Sequence, residues 1–225
     1  MQRLLDIFFS FCALAFLSPI FIIVTLVLRF TGEGEIFFFQ ERIGRNKEVF
    51  KLLKFVTMLK NSESMGTGTL TVKDDPRILP LGKLLRKTKI NELPQLLNVF
   101  FGQMSVVGPR PLTSDSFNCY SEQIQNKISK VKPGLSGIGS IIFRDEENIL
   151  SDKDKSKEFY KDSIAPYKGS LESWYINNYN IRTYFKVIIA TVWVILFSSS
   201  SLALRLFKDL PEPSSEIKDV LKWNS

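Results

Sequence analysis

The sequence predicts an α+β protein: a long apolar amino-terminal helix, then a small, mostly helical domain with a few short strands and amphipathic helices at an interface. Three observations predict it. Residues 7–28, "IFFSFCALAFLSPIFIIVTLVL", carry no charge over 22 positions. Two β-prone segments, residues 36–40 and 49–55, flank the turn signal Gly44-Arg45-Asn46-Lys47. Beyond them the apolar residues recur at helical spacing, as at Leu93, Leu96, Leu97, Phe100 and Phe101.

The uncharged stretch is flanked by Arg3 and Arg29. At about 1.5 Å per residue it is just long enough for a bilayer core of roughly 30 Å. It is too long for the apolar part of a signal peptide, and no small-residue cleavage site follows, so it is expected to be retained. Ser18-Pro19 sits at its centre. Proline lacks a backbone donor and clashes with the carbonyl four residues back, which predicts a kink or a break. A kinked spanning helix and a helix–break–helix that leaves by the face it entered both satisfy this. Basic residues at both flanks (Arg3; Arg29, Arg42 and Arg45) fit cytoplasmic placement of both ends.

After the two strands, "SESMGTGTLTVKDDPRILPLGKLL" reads as a Gly/Ser/Thr-rich connection, an Asp-Pro turn and the start of a basic amphipathic helix. Residues 93–101 form a helix that Gly102 ends, and "SVVGPRP" is a short buried strand running into a rigid turn. Residues 124–131 are a modest amphipathic helix. A second uncharged stretch, residues 187–204, is weakened as a span by Ser198–Ser201 and reads as a buried or interface-lying helix. The tail "DLPEPSSEIKDVLKWNS" reads as a surface segment.

Charge and composition narrow the chemistry. The net charge of +7 concentrates between residues 42–89 and 127–168 and implies an anionic partner. With no histidine, a histidine-ligated metal and a histidine base are excluded. Two cysteines, Cys12 and Cys119, make neither a disulfide framework nor a zinc pattern. Any metal is then a hard cation on carboxylates and phosphate oxygens, for which Mg²⁺ is the usual choice. A nucleic-acid partner is not expected, because the basic stretches lack interleaved aromatic platforms.

Asn91-Glu92-Leu93-Pro94 follows Lys83, Arg86, Lys87 and Lys89. Proline is tolerated in a first helical turn, so Asn91 and Glu92 are expected at a helix amino terminus, where free N–H groups suit phosphate. An ordinary N-cap and first-turn acid account for the two residues equally well but not for the basic cluster. Gly108-Pro109-Arg110-Pro111 adds a rigid turn bearing a guanidinium suited to phosphate.

These motifs, with "FFFQERIGR", "FKLLKF", "DDPRILPLGKLLRKT", "NELPQLLNVFFGQMSVVGPRP" and "KPGLSGIGS", stand in the order found in bacterial sugar transferases, the monotopic phosphoglycosyl transferases. The chain resembles that family over about residues 3–142. The resemblance implies transfer of a phospho-sugar from a nucleotide diphosphate sugar, usually a UDP-sugar, to undecaprenyl phosphate, which starts surface-glycan assembly. It implies Mg²⁺, for which Glu92 is the candidate ligand; Arg110, Arg86, Lys87 and Lys54 are the candidate phosphate-binding residues. It also implies a re-entrant helix over residues 1–30 broken at Ser18 and Pro19, a catalytic core over residues 31–150, and a helical extension over residues 151–225. Such a protein lies among the lipids of the bacterial inner membrane, on the cytoplasmic face; whether it is a homo-oligomer stays open.

In the family an aspartate before the glutamate is the nucleophile, and here Asn91 stands in its place. An amide lone pair is delocalised into its carbonyl, so Asn91 cannot form the acyl phosphate. Val56 also stands where many relatives carry arginine, and "FRDEEN" adds acids where many read differently. Four explanations follow: Glu92 is the nucleophile; Asp145, Glu146 or Glu147 folds back to supply the carboxylate; the polyprenyl phosphate attacks directly with Glu92 on Mg²⁺; or the chain is an inactive member that binds nucleotide sugar or lipid as a partner or regulator. An active enzyme is the reading taken, since the phosphate-binding and membrane parts are both intact.

Overall fold

A computed structural model of the chain describes residues 2–66, 68, 71–72, 74–144, 146–150, 156–197, 206–207, 209–221 and 223. Helix α1 (Gln2–Phe30) stays helical through Ser18 and Pro19, so the proline is held inside the helix rather than in a non-helical segment. The reason is local. The carbonyl that Pro19 leaves unpaired belongs to Ala15, and it accepts from Ser18 Oγ at 2.8 Å.

Both ends of α1 are fastened to the same domain. At the amino end Gln2 donates to Ser105 Oγ at 2.8 Å, and Arg3 donates to the carbonyls of Val99 and Phe100 at 2.6 Å each. The buried Asp6 accepts from Ser105 Oγ, Val106 N and Tyr184 Oη at 2.9, 3.0 and 3.1 Å. Toward the other end Val24 and Leu28 pack with Phe55 and Leu85, and the Phe21 and Phe55 rings lie 5.4 Å apart. Between these anchors the helix is bare: Phe16 is 84% exposed and Phe11 60%. A water-exposed apolar shaft of this length is unfavourable, by about 25 cal/mol per Å².

Strands β1 (Phe37–Ile43) and β2 (Val49–Phe55) form an antiparallel hairpin registered Phe37 to Phe55 and Ile43 to Val49. The first runs three residues beyond the expected end, because pairing to β2 carries it to the turn. Helix α2 (Pro80–Lys87) ends where Lys89 turns left-handed (φ 59°). A separate 3₁₀ turn, Ile90–Glu92, precedes α3 (Gln95–Phe101), which Gly102 ends at φ 89°. The expected single helix from residue 93 with Asn91-Glu92 at its tip is therefore corrected.

Strand β3 (Ser105–Val107) pairs in parallel with β4 (Gly134–Ser136). The chain beyond β3 passes so near β4 that a Cβ on Gly134 would lie 2.1 Å from Gly108 N. Only glycine fits, and the crossing fixes where Pro109-Arg110 emerges. Short helices α4 (Ser114–Asn118), α5 (Glu122–Ile128), α6 (Ile138–Ile142), α7 (Glu146–Ile149) and α8 (Ser156–Phe159) follow. A π turn, Tyr160–Ile164, leads into α9 (Ala165–Asn177). Helix α10 (Ile181–Phe197) buries Tyr184, Val187, Ala190 and Val194 in the main core and exposes Phe185, Ile189, Val192 and Leu196. The expected buried or interface-lying helix is matched on its inner side; its predicted continuation over residues 198–204 lies outside the described residues.

The tail is not a loose surface segment. Helix α11 (Ser215–Leu221) buries Ile217 completely, Leu210 is 9% exposed, and Pro211 O accepts from Tyr167 Oη at 2.9 Å. Ile217 and Leu210 join the main core, and the Trp223 ring meets that of Tyr167 edge-on at 6.1 Å.

Candidate active site

Two clefts meet at one ion pair. Glu92 Oε1 accepts from Arg110 Nη2 at 2.9 Å, with the Glu92 side chain 16% exposed. The first cleft, about 340 Å³, is polar and lined by Arg42, Lys54, Arg86 and Asn91 among others. The second, about 290 Å³, is mostly apolar and runs between Leu93, Leu135, Ile141 and Phe143 on one side and Ile188, Val192 and Ile195 of α10 on the other. Lys89, Glu92, Arg110, Glu146 and Lys168 line both.

The backbone explains how Glu92 arrives there. Its N–H is bonded to Lys89 O and that of Leu93 to Ile90 O, each at 3.1 Å. Those donors are consumed within the 3₁₀ turn, so the expected free helix terminus for a phosphate is absent at this position. The positive field comes from side chains instead. Burial opposes ionisation of Glu92, but Arg110, Lys54 and Lys89 outweigh it and hold the carboxyl at about 2. Glu92 in turn raises Arg110 further.

The cations themselves are strained electrostatically. Lys54, on β2, is pushed well below its usual range by burial and by Arg42. Burial, then Arg110, lowers Arg42 to about 10. Arg42 Nη1 donates to Pro111 O at 3.0 Å, tying the hairpin to the arginine turn; its other end bonds Gln40, which donates to Glu63 at 2.5 Å. Like charges crowded into a half-buried cleft are relieved by a polyanion. Such a cleft favours an anionic ligand.

The sequence-predicted residues divide clearly. Glu92, Asn91, Arg110, Arg86 and Lys54 converge on the first cleft, with Val56 also in its lining. Lys87 is exposed on α2, outside both linings. Asn91 is 6% exposed, and its Oδ1 has no hydrogen-bond partner among the described residues. Glu146 does reach the site, but both its oxygens accept from the buried Lys168 Nζ, at 2.8 and 2.9 Å. Asp145 lies outside the described residues, as does the side chain of Glu147.

Sequence reasoning missed Arg42, Lys168 and Tyr160, which also line the first cleft. Arg42 and Gln40 share one face of β1 by strand alternation, a signal that was available. Lys168 gave none: it sits 3% exposed among the apolar residues of α9, its ammonium 5.4 Å from the Phe143 ring centroid. Burial opposes its charge, and Glu146 more than restores it.

For Mg²⁺, no cluster of three acidic or sulfur ligands exists among the described residues. Among the described carboxylates common to both clefts, the site offers a hard cation Glu92 alone, so an ion held there would depend on oxygens of the substrate and would compete with Glu92 acting as a nucleophile. A bound ion there would neutralise charge on a departing phosphate.

A model of the family described as bacterial sugar transferase matches residues 1–198. The chain belongs to the bacterial sugar transferase family. This sugar transferase is 30% identical over 214 residues to the exopolysaccharide production protein ExoY of Sinorhizobium fredii, covering 89% of the chain and 87% of the relative. It is 34% identical over 198 residues to the uncharacterized sugar transferase EpsL of Bacillus subtilis, covering 88% of each. It is 34% identical over 197 residues to a UDP-glucose:undecaprenyl-phosphate glucose-1-phosphate transferase of Klebsiella pneumoniae, covering 85% of the chain but 39% of that longer relative.

One buried acid outside the ion pair supports the site from below. Glu172 of α9 is 3% exposed, and its Oε1 stands so near Gly139 that a Cβ there would meet it at 2.5 Å. Its Oε2 has no partner among the described residues. Burial raises the carboxyl from 4.5 to about 7 despite donors from Arg110 N and Gly139 N. The fold therefore holds a proton that the unfolded chain releases, and stability contributed at low pH is lost as pH rises toward about 7. Glu172→Gln is expected to raise Tm near pH 8, by the equivalent of roughly 2–3 kcal/mol, and to change it little near pH 4. Thermal unfolding at the two pH values checks this; an effect independent of pH contradicts it.

Proposed function

We propose that this sugar transferase moves a phospho-sugar from a UDP-sugar to undecaprenyl phosphate, with Glu92 as the covalent carrier. The observation that supports it most is the meeting of the polar and apolar clefts at Glu92 and Arg110. The cation-lined cleft suits the diphosphate of a nucleotide sugar. The apolar cleft, bordered by the exposed side of α10, suits the first isoprene units of a lipid whose phosphate reaches Arg110 and Lys89.

In the first step a Glu92 carboxylate oxygen attacks the β-phosphorus, the bond to the bridging oxygen breaks, and UMP leaves with both electrons of that bond. In the second, an oxygen of undecaprenyl phosphate attacks the same phosphorus; the Glu92–phosphorus linkage breaks and the carboxylate is restored. Arg110 and the surrounding lysines stabilise the charge that gathers on the phosphoryl oxygens. Glu92 is ionised throughout the physiological range, as a nucleophile must be. Purified protein given a UDP-sugar and undecaprenyl phosphate should release UMP and form a lipid diphospho-sugar; binding without release would identify a non-catalytic member.

The membrane part of the proposal is a re-entrant α1 with the domain on the cytoplasmic face. It is supported by both ends of α1 being held to one domain while the apolar shaft between them is bare. A straight helix of this length would be about 43 Å long and would carry one end across a bilayer, so a re-entrant α1 requires a bend at Pro19 within the continuous helix. In a background lacking Cys12 and Cys119, Leu4→Cys and Phe30→Cys should both resist an impermeant maleimide added from the periplasm. Labelling of Leu4→Cys alone would establish a full crossing.

A further inference from the structure

A cavity of about 400 Å³ lies beside the amino end of α1 and shares no lining residue with either cleft. Arg3, Arg45, Lys130 and Lys132 line it, against the single carboxylate of Asp6. That carboxylate is already engaged by Ser105, Val106 and Tyr184. Arg3 is spent on the carbonyls that end α3, where a cation is favourable. The side chains of Arg45, Lys130 and Lys132 make no hydrogen bond or ion pair with the described residues.

These charges are close together. A Cβ on Gly102 would sit 3.1 Å from Arg3 Cζ and 3.4 Å from Lys132 Nζ, so both cationic groups rest against one glycine. Burial, then Arg3, lower the pKa of Lys132; Asp6 opposes the shift and Arg45 adds to it, so the one carboxylate only partly offsets its cationic neighbours. The position is also particular. Leu4, 72% exposed, and Phe8 and Phe11, each 60% exposed, begin the apolar shaft of α1 within the first turns above the cavity. A group bound there stands at the level where lipid phosphates meet water.

We propose that this cavity binds the phosphate of an anionic membrane lipid headgroup. The proposal rests on reading α1 as the membrane helix and is independent of the chemistry at Glu92. A lipid phosphate would bridge Lys132 and Arg45 or Lys130 while its acyl chains run along the shaft of α1. It would thereby lock the amino end of that helix against the domain and neutralise a cluster that is otherwise repulsive.

The test uses the full chain, reconstituted in vesicles of equal phosphatidylglycerol and phosphatidylcholine and re-extracted in mild detergent. The retained lipids are quantified by mass spectrometry. Wild type should retain phosphatidylglycerol in clear excess. Arg45→Gln/Lys130→Gln should lose about fivefold of that preference per charge removed, whereas Lys157→Gln/Lys161→Gln, remote from α1, should keep it. Loss in both pairs, or in neither, would overturn the site. Retention of lipid without preference for phosphatidylglycerol would leave the membrane reading standing and overturn the proposal; retention of no lipid would overturn both. A final arm adds inorganic phosphate to lipid-free protein and follows its ³¹P line width. Broadening that needs Lys130, with no lipid preference in the first arm, would assign a free anion and overturn the lipid assignment.

Discussion

Glu92→Gln is expected to lower kcat for UMP release by roughly a thousandfold or more, the scale seen when a covalent nucleophile is removed. Glutamine keeps the shape and one acceptor for Arg110, so folding should survive; what is lost is the charge and the attacking oxygen. Thermal unfolding of the variant checks the first half of that statement and a UMP-release assay the second. Turnover near wild type would move the role to Glu146, the other described carboxylate common to both clefts. Asn91→Asp is the informative companion, since it restores the pair the family resemblance implies. If Glu92 already carries the phospho-sugar, a second carboxylate beside it should bring no large gain.

Arg110→Ala is expected to cost roughly 2–5 kcal/mol of transition-state stabilisation in kcat/KM. The loss has two sources. One is the guanidinium at the junction of the clefts; the other is Glu92, whose buried carboxylate is left with fewer compensating charges. Arg110→Lys should recover only part of it, because an ammonium cannot reproduce the planar fork. Steady-state kinetics of both variants decide this, and an unchanged kcat/KM for Arg110→Ala would make the ion pair purely structural.

Much of this architecture was readable from residue patterns, and the failures have identifiable causes. Alternation and turn chemistry located β2 to the residue, and the buried strand before Gly108 stands where its apolar run lies. Asn91, Glu92, Arg110, Arg86 and Lys54 come from separate stretches of the sequence and line one cleft. Three readings failed for physical reasons that single positions do not announce. Ser18 satisfies the carbonyl that Pro19 frees, so the helix holds the proline without a non-helical segment. Lys89 enters the left-handed region, so a 3₁₀ turn replaces the expected helix tip. Ile217 and Trp223 sit in a polar tail, yet Ile217 joins the main core and Trp223 packs against the Tyr167 ring. Lys168 illustrates the deepest limit. A buried cation is stable only through its partner, and Glu146 is 22 residues away in sequence.

In the proposed mechanism Glu92 carries the phospho-sugar between the two clefts. The most direct measurement is peptide mass spectrometry of protein incubated with a UDP-sugar while undecaprenyl phosphate is withheld. One equivalent of UMP should be released per active protein, with a sugar-phosphate mass on the peptide containing Glu92 that is lost when acceptor is added. An unmodified peptide, with UMP appearing only once acceptor is present, would contradict that mechanism.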